Sequence, residues 1–145
     1  MTTLDDVAAL GAKEQGLATV ATLRADGTIQ ASLVNAGVLE SPFGGDGVLG
    51  FVTYGRVKLA NLRARNQVAA TFRSGWRWAT VEGTALLIGP DDPHPEINGE
   101  RLRLLLREVF IAAGGSHDNW AEYDRVMADE RRAVVLIAPN RIYGN

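Results

Sequence analysis

The chain has 145 residues, of which 46% are hydrophobic and 22% charged, and its formal net charge is −2. This length suits one domain with a single core, and the composition is typical of a soluble globular protein rather than a disordered one. The near-neutral charge disfavours a nucleic-acid binder, the lack of cysteine excludes disulfides and thiolate metal sites, and no apolar run approaches the roughly 20 residues of a membrane span.

The N-terminal third of the chain predicts a helix followed by an antiparallel hairpin. Thr3 is positioned to cap a helix over Leu4–Glu14, which carries two aspartates in its first turn. Strands are predicted over 17–24 and 28–40, joined by Asp26-Gly27, a dipeptide typical of tight hairpin turns. Apolar and polar residues alternate along the start of the second strand, which therefore has two distinct faces.

The middle of the chain alternates strand and helix signals. A largely apolar strand over 48–54 precedes a helix that opens at Gly55. Strands follow over 67–73 and 77–89, and Gly83 within the second indicates a bulge or bend.

The last third of the chain begins with a Pro-rich break and continues with two helices. An amphipathic helix is predicted over Arg101–Ala113, and Asp118 is positioned to cap a further helix. A closing strand over 131–139 is expected to stop at Pro139, with RIYG extending it past a bend.

The order of these elements predicts the fold class. About six strands, a hairpin start and few helices favour a mainly β protein, a small antiparallel barrel with peripheral helices, over a doubly wound sheet. We treat residues 1–145 as one domain with a helical insertion at about 96–130. The N-terminal segment has neither a basic start nor an apolar run, so we expect no signal peptide and a cytoplasmic location.

The stretch GRVKLANLRARN, Gly55–Asn66, carries four cations and no acid. Cations at a helix start face the positive end of the helix dipole, which costs about 0.3–1 kcal/mol each. Arg63 and Arg65 flank the apolar stripe of this helix, where long cationic side chains commonly reach from a packed face to solvent.

Arg56 and Lys58 differ because they lie in the first turn, directly after the strand that contains Thr53. The free backbone N–H groups of a helix start suit a phosphate, the Thr53 hydroxyl adds a further polar group to the cradle, and Gly55 permits close approach. Charge-assisted hydrogen bonds of about 1.5–3 kcal/mol each would outweigh the dipole cost. The sequence therefore indicates a phosphate cradle, and the alternative is that both cations are solvated or paired with distant acids.

Familiar catalytic motifs are absent from the chain. There is no GxSxG nucleophile elbow and no GxxxxGK phosphate loop, and His94 and His117 stand in separate predicted loops without a ligand cluster. No metal site is predicted and the catalytic residues stay unidentified. If the chain is an enzyme, the pattern favours chemistry carried out by a cofactor.

Three segments, LATVATLRADGTIQASLV, VLGFVTYGRVKLANLRARNQVAATF and WATVEGTALL, resemble the pyridoxamine-phosphate-oxidase-like split barrels. More narrowly, the chain is similar to the flavin/deazaflavin oxidoreductases, family B, of actinobacteria. The most specific part is the Arg-x-Lys-x-x-Asn-Leu unit at 56–62, with the ADG hairpin upstream. The resemblance implies a homodimer of six-stranded split barrels that binds FMN or the deazaflavin coenzyme F420 at the subunit interface. Arg56 and Lys58 match the family's phosphate-binding positions.

The resemblance also implies roles for four further residues. Asn61 either orients the phosphate cradle or faces solvent. Ser32 and Asn35 fall where family members contact the cofactor ring with small polar groups, although Ser32 alternatively faces a neighbouring strand. Trp78 either walls the cofactor pocket or packs in the dimer interface.

The predicted function follows from the family and the cofactor. A second phosphate-binding cluster is lacking, which disfavours vitamin B6 oxidation, and a bias of arginine over lysine is typical of the GC-rich genomes in which F420 occurs. We predict an F420-dependent oxidoreductase that passes a hydride from reduced F420 to a small organic acceptor, which is an unsaturated ring, a quinone or a tetrapyrrole-like molecule. The alternatives are an FMN-dependent oxidase related to pyridoxamine-phosphate oxidase, and a non-catalytic cofactor-binding protein. The proton donor is either solvent or Tyr54.

Overall fold

The computed structural model describes residues 1–145 and forms a closed antiparallel barrel of six strands with four helices outside it. The strands are β1 (Leu17–Leu23), β2 (Ile29–Glu40), β3 (Gly47–Thr53), β4 (Gln67–Ser74), β5 (Arg77–Ile88) and β6 (Ala133–Gly144). The helices are α1 (Leu4–Lys13), α2 (Arg56–Ala64), α3 (Gly99–Ala112) and α4 (Trp120–Asp129). The spatial order of the strands is β1-β2-β3-β6-β5-β4, and β4 closes on β1. The predicted mainly β barrel with peripheral helices is confirmed, and none of the helices combines the length and apolar character needed to cross a bilayer.

The β1–β2 hairpin turns where the sequence predicts. Gly27 has a φ of +85°, a left-handed conformation that favours glycine, and Asp26 accepts a hydrogen bond from the backbone N–H of Thr28 over 3.0 Å. The pairing of β1 with β2 runs from Leu23–Ile29 beside the turn to Leu17–Asn35, and the rest of β2 pairs with β3.

Strand β6 continues past Pro139, so the predicted stop is wrong, whereas the predicted extension through RIYG past a bend is confirmed. Gly83 pairs with Pro139 and Glu82 pairs with Arg141, which leaves Asn140 as an extra residue in β6. The resulting bulge accommodates a residue without a backbone N–H, and β6 continues to its end at Gly144. The bulge predicted at Gly83 is confirmed.

Helices α3 and α4 pack on the outside of the barrel and form a second apolar core with it. Their buried residues Leu105, Val109 and Met127 meet outward side chains of β3, β5 and β6. Asn119 caps α4, accepting a hydrogen bond from the backbone N–H of Glu122 over 3.1 Å, so the prediction that Asp118 caps this helix is off by one residue. The pair of helices is thus fixed on one side of the barrel, where it forms a wall.

The C-terminal end of α3 meets β2 backbone to backbone at Gly37. A Cβ atom at this position would overlap the carbonyl group of Ala112, so Gly37→Ala forces the helix away from the strand. We expect overpacking to lower the free energy of unfolding by about 1–3 kcal/mol, seen as a lower melting temperature by circular dichroism. Gly99→Ala is the matched control, because nothing lies within 4 Å of its Cβ position. Equal melting temperatures for the two variants would contradict the close contact.

Candidate cofactor site

A cavity of about 740 Å³ lies between the barrel and the α3–α4 pair. Its barrel side comes from the middle of β2 and from the junction of β3 with α2. The α3–α4 side is apolar and consists of Val109, Phe110, Ala113, Tyr123 and Met127. A polar junction facing an apolar wall suits a flat ring that carries a charged group at one end.

Lys58 is the only cation that α2 contributes to this cavity, and it is 7% exposed. Its ammonium group makes no hydrogen bond or ion pair within the protein, and burial lowers its pKa below the usual range. A buried charge without a partner is costly, and proteins normally pair such a group. The Lys58 ammonium is therefore set up to receive an anion from outside the chain.

The β3–α2 junction around Lys58 leaves room for a ligand to approach the backbone closely. The Thr53 hydroxyl accepts a hydrogen bond from the backbone N–H of Gly55 over 3.1 Å. A Cβ atom built on Gly55 would lie 3.4 Å from both the Lys58 Nζ and the Thr53 Oγ1. The ammonium, the hydroxyl and the start of α2 thus converge on one point, and no side chain caps the helix there.

Arg56 is exposed and does not line the cavity. Successive residues of a helix are separated by about 100°, so Arg56 and Lys58 point in nearly opposite directions. Lys58 shares the buried face of α2 with Leu59, Asn61 and Leu62. The structure thus separates the two predicted phosphate ligands, placing Lys58 inside the cavity and Arg56 at the surface beside it.

Arg63 and Arg65, which flank the apolar stripe of α2, both have protein partners. Arg63 forms a two-point ion pair with Asp92, with distances of 2.8 and 2.7 Å. Arg65 donates from Nε to the carbonyl of Leu23 over 2.9 Å. Neither guanidinium is therefore held ready for a ligand in the way that Lys58 is.

Asn61 is buried inside the barrel and does not face solvent. Its amide donates from Nδ2 to the Thr22 hydroxyl over 3.0 Å, and that hydroxyl donates to Gln30 Oε1 over 3.1 Å. These bonds join α2 to β1 and β2. Asn61 therefore fixes the helix that carries Lys58 without contributing to the cavity lining itself.

The other predicted site residues divide into one inside the cavity and two outside it. Asn35 lines the cavity and donates from Nδ2 to the carbonyl of Gln15 over 2.8 Å. The Ser32 hydroxyl oxygen is buried and has no hydrogen-bond partner, and it does not line the cavity. Trp78 lies at the start of β5, edge-on to Tyr143 with ring centres 6.0 Å apart.

Trp78 belongs to a separate groove of about 770 Å³ on the outer surface of the barrel. Trp76 and Leu33 line the same groove, and Leu33 also lines the cavity beside Lys58. The cavity and the groove therefore meet at Leu33. Within one chain, Lys58, Thr53 and Asn35 come together while Trp78 stays outside.

Sequence reasoning missed Arg132, a second cation in the cavity. Its guanidinium lies over the ring of Tyr54, with Cζ 4.0 Å from the ring centre, and its Nε donates to Glu130 over 2.9 Å. Arg132 follows α4 whereas Tyr54 precedes α2, and no local pattern joins residues so far apart in sequence. The approach of these two segments depends on the barrel, in which β3 and β6 are neighbours.

Sequence reasoning also missed the role of Tyr123, whose side chain forms part of the apolar wall. Its hydroxyl donates to the carbonyl of Leu106 over 2.9 Å, and burial raises its pKa to about 12. This tyrosine therefore stays protonated over the physiological range. It contributes a ring surface to the cavity rather than an acid or a base.

The closed barrel and the cavity beside it place the chain in the class of split-barrel cofactor-binding proteins. Residues 4–145 match the family model described as pyridoxamine 5'-phosphate oxidase, and the chain belongs to this family. The family resemblance seen in the sequence is confirmed.

Solved structures share the fold at low sequence identity. A conserved hypothetical protein from Mycobacterium tuberculosis is 19% identical, with a TM-score of 0.71 over 99% of this chain and 84% of the other. An F420 reductase is 19% identical, with a TM-score of 0.58 over 88% of each chain. A pyridoxamine 5'-phosphate oxidase-related, FMN-binding protein from Nostoc punctiforme is 12% identical, with a TM-score of 0.66 over 99% of this chain and 86% of the other.

Proposed function

We propose that this protein is an F420-dependent oxidoreductase that transfers a hydride from reduced F420 to a small organic acceptor. The acceptor is an unsaturated ring, a quinone or a tetrapyrrole-like molecule. The observation that carries the proposal is Lys58, a largely buried residue whose unpaired ammonium opens onto a partly apolar cavity. The F420 reductase among the structures of the same fold supports a cofactor of this type.

The residues present fit a phosphorylated flavin-type cofactor. Lys58 would neutralise the phosphoryl group, while the Thr53 hydroxyl and the N–H groups at the start of α2 are within reach of its oxygens. Val109 would cover the ring and exclude water. Bound reduced F420 supplies a hydride at ring carbon C5, and the chain supplies binding, orientation and the apolar wall.

Arg56 favours F420 over FMN in this arrangement. It is exposed in the first turn of α2, outside the cavity, and it forms no ion pair. The polyglutamate tail of F420 is anionic and extends beyond the phosphodiester, where an exposed guanidinium would attract it. FMN ends at its phosphate and has no group that would use this cation.

A second copy of the chain completes the site in this proposal. Leu33 is 64% exposed and Trp76 is 93% exposed, and together with Trp78 they form an apolar outer surface around the groove. Exposed apolar surface of this kind is typical of an interface. Because Leu33 also lines the cavity, a partner seated on this surface would border the ligand, and its Trp78 would be close to the cofactor.

Cofactor titration tests the proposal. We expect the purified protein to bind F420, followed by fluorescence, and Arg56→Ala combined with Lys58→Ala to weaken binding at least tenfold, or about 1.4 kcal/mol. Lys13→Ala combined with Arg125→Ala removes the same charge from exposed positions and should leave the affinity unchanged. Tight FMN binding without an F420 response would overturn the choice of cofactor. Unchanged affinity in the first variant would place the site elsewhere.

An FMN-dependent oxidase is the second candidate, because the terminal phosphate of FMN also fits the Lys58 position and an FMN-binding protein shares the fold. This alternative expects a yellow protein on purification and consumption of oxygen during turnover. A colourless protein that oxidises added reduced F420 in the presence of an acceptor would exclude it.

A further inference from the structure

We propose that Arg132 anchors a carboxylate of the acceptor, so that the preferred substrates are flat, apolar acids. The inference rests on the proposed function only in reserving the Lys58 end of the cavity for the cofactor. It names a second binding position in the same cavity and the class of molecule that fits it.

The guanidinium of Arg132 is held from two directions. Its face lies on the Tyr54 ring at 4.0 Å, and its edge meets the Glu130 carboxylate, 2.9 Å from Nε and 2.7 Å from Nη2. The remaining nitrogen, Nη1, makes no hydrogen bond within the chain. A planar fork fixed in this way is well suited to bind a second carboxylate with little loss of side-chain freedom.

Arg132 borders both the apolar wall and the Lys58 cradle, because Tyr54, on which its guanidinium stacks, stands between Thr53 and Gly55. Its backbone N–H donates to the carbonyl of Met127 over 3.0 Å, so it directly follows the residues that α4 contributes to the cavity. It is also near enough to Tyr123 for its charge to oppose the burial-driven rise of that residue's pKa. A ligand held by Arg132 would therefore extend over Tyr123 and Met127.

The two cations of the cavity differ in what they require. Lys58 is buried and has no partner, which suits a permanently bound anion such as a cofactor phosphate. Arg132 is 23% exposed at its side chain and already has Glu130 as a partner, which suits a ligand that arrives and leaves. Glu130 leaves Nη1 of Arg132 free, and an incoming carboxylate would bind there beside a negatively charged neighbour.

The apolar wall selects the rest of the ligand. Phe110, Tyr123 and Met127 offer ring faces and a polarisable thioether, and the Tyr123 hydroxyl is already bonded to Leu106. These surfaces favour a fused or conjugated ring over a sugar or a flexible polar chain. The combination of flat apolar body and carboxylate is the signature of an aromatic or polyenoic acid.

Isothermal titration calorimetry with 2-naphthoate and its neutral analogue 2-naphthalenemethanol tests the proposal on the cofactor-free protein. We expect Arg132→Gln to weaken naphthoate at least tenfold and to leave the neutral analogue unchanged. Glu130→Gln removes the neighbouring negative charge and should tighten the binding of naphthoate about threefold, the opposite of the effect expected for Arg132→Gln. Arg131→Gln is the control, because this neighbouring arginine pairs with Asp91 and does not line the cavity.

Several outcomes would overturn the proposal. These are no naphthoate binding by the unaltered protein, equal loss of both ligands in Arg132→Gln, or weaker binding in Glu130→Gln. Loss of naphthoate in Lys58→Met without any loss in Arg132→Gln would assign the acid to the cofactor end instead. Arg132→Lys keeps the positive charge but lacks the planar guanidinium, so it should bind naphthoate with intermediate affinity. This variant also controls for a folding defect in Arg132→Gln.

The same variants separate this proposal from the proposed function. Arg132→Gln should bind F420 as the unaltered protein does, because Lys58 holds the cofactor. If F420 does not bind at all while naphthoate shows the expected pattern, the cofactor assignment fails and the acid position stands. If F420 binds and the affinity for naphthoate is unchanged in Arg132→Gln, only the proposed carboxylate position at Arg132 is wrong.

Discussion

We expect Lys58→Met to abolish cofactor binding and at the same time to raise the melting temperature of the cofactor-free protein. Methionine fills the same space without a charge, so the variant no longer buries an ammonium that has no partner in the chain. We expect a gain of about 0.5–2 kcal/mol in the free energy of unfolding. For a chain of this size that is roughly 2–6 °C in melting temperature by circular dichroism.

The pH dependence of stability gives an independent check on the same side chain. Burial lowers the folded-state pKa of Lys58 below its ordinary value of 10.5, so the unfolded chain holds more protons between the two values. Stability of the unaltered protein should therefore rise as pH increases through the lowered pKa, because the desolvation cost disappears when the amine is neutral. The stability of Lys58→Met lacks this rise. The difference in stability between Lys58→Met and the unaltered protein should therefore shrink towards pH 10. Cofactor affinity should fall over the same range, since a neutral amine no longer attracts the phosphoryl group.

Lys13→Met is the matched control for both measurements. Lys13 is exposed in the last turn of α1 and lies outside the cavity, so its replacement should leave cofactor affinity unchanged and shift the melting temperature little. If Lys58→Met instead melts lower than the unaltered protein and still binds cofactor, the ammonium has a structural role. The phosphoryl group would then bind elsewhere.

Features set by neighbours in sequence were readable from the letters alone. The Asp26-Gly27 turn, the alternation along β2 and the start of α2 after Gly55 each depend on contacts within about four residues. Together they predict a barrel with peripheral helices. The bulge at Gly83 belongs to the same group, although its partner residue and the continuation past Pro139 required the β5–β6 register.

The sequence predicted that the start of α2 is cationic, but we did not predict from it which cation lines the cavity. Composition marks the start of α2 as cationic, but the rotation of about 100° per residue decides which cation faces inward. The buried set Lys58, Leu59, Asn61 and Leu62 has helical spacing, so the separation of Arg56 from Lys58 was present in the sequence and was missed. A helical-wheel reading would have assigned Lys58 to the buried face with Leu62.

Arg132 and the apolar wall were not readable at all. Tyr54 and Arg132 meet because β3 pairs with β6, and that pairing joins strands separated by most of the chain. The amphipathic spacing of α3 shows that one face is buried, but it does not show against what. Only the packed structure reveals that part of this face borders a cavity rather than a closed core.

Leu33→Asp is expected to convert a dimer to a monomer and to weaken cofactor binding at least tenfold. A carboxylate at the centre of an apolar interface has to be desolvated there, which strongly disfavours association. Light scattering coupled to size-exclusion chromatography measures the mass directly. Ile111→Asp is the control, because this residue is 55% exposed on α3 and lines neither the cavity nor the groove. A monomeric unaltered protein, or a dimeric Leu33→Asp variant, would contradict the interface.

Leu33→Asp alone does not show whether the partner subunit contributes to the site, because Leu33 itself borders the cavity. Subunit complementation answers this question. Lys58→Met and Trp78→Ala should each fail to bind cofactor as pure dimers. If Lys58 of one subunit and Trp78 of the other act on the same ligand, a mixed dimer holds one intact site and one doubly altered site. Random exchange of subunits in a twofold dimer should then restore binding at about one quarter of the sites.

An arrangement in which each site uses residues of one subunit predicts a different fraction of restored sites. If both side chains served the site of their own subunit, every site in the mixture would lack one of them, and exchange would restore nothing. If Trp78 only packs against the partner, its alanine variant would bind cofactor before mixing, as long as it stays dimeric. Recovery after exchange therefore requires that the groove of one subunit faces the cavity of the other.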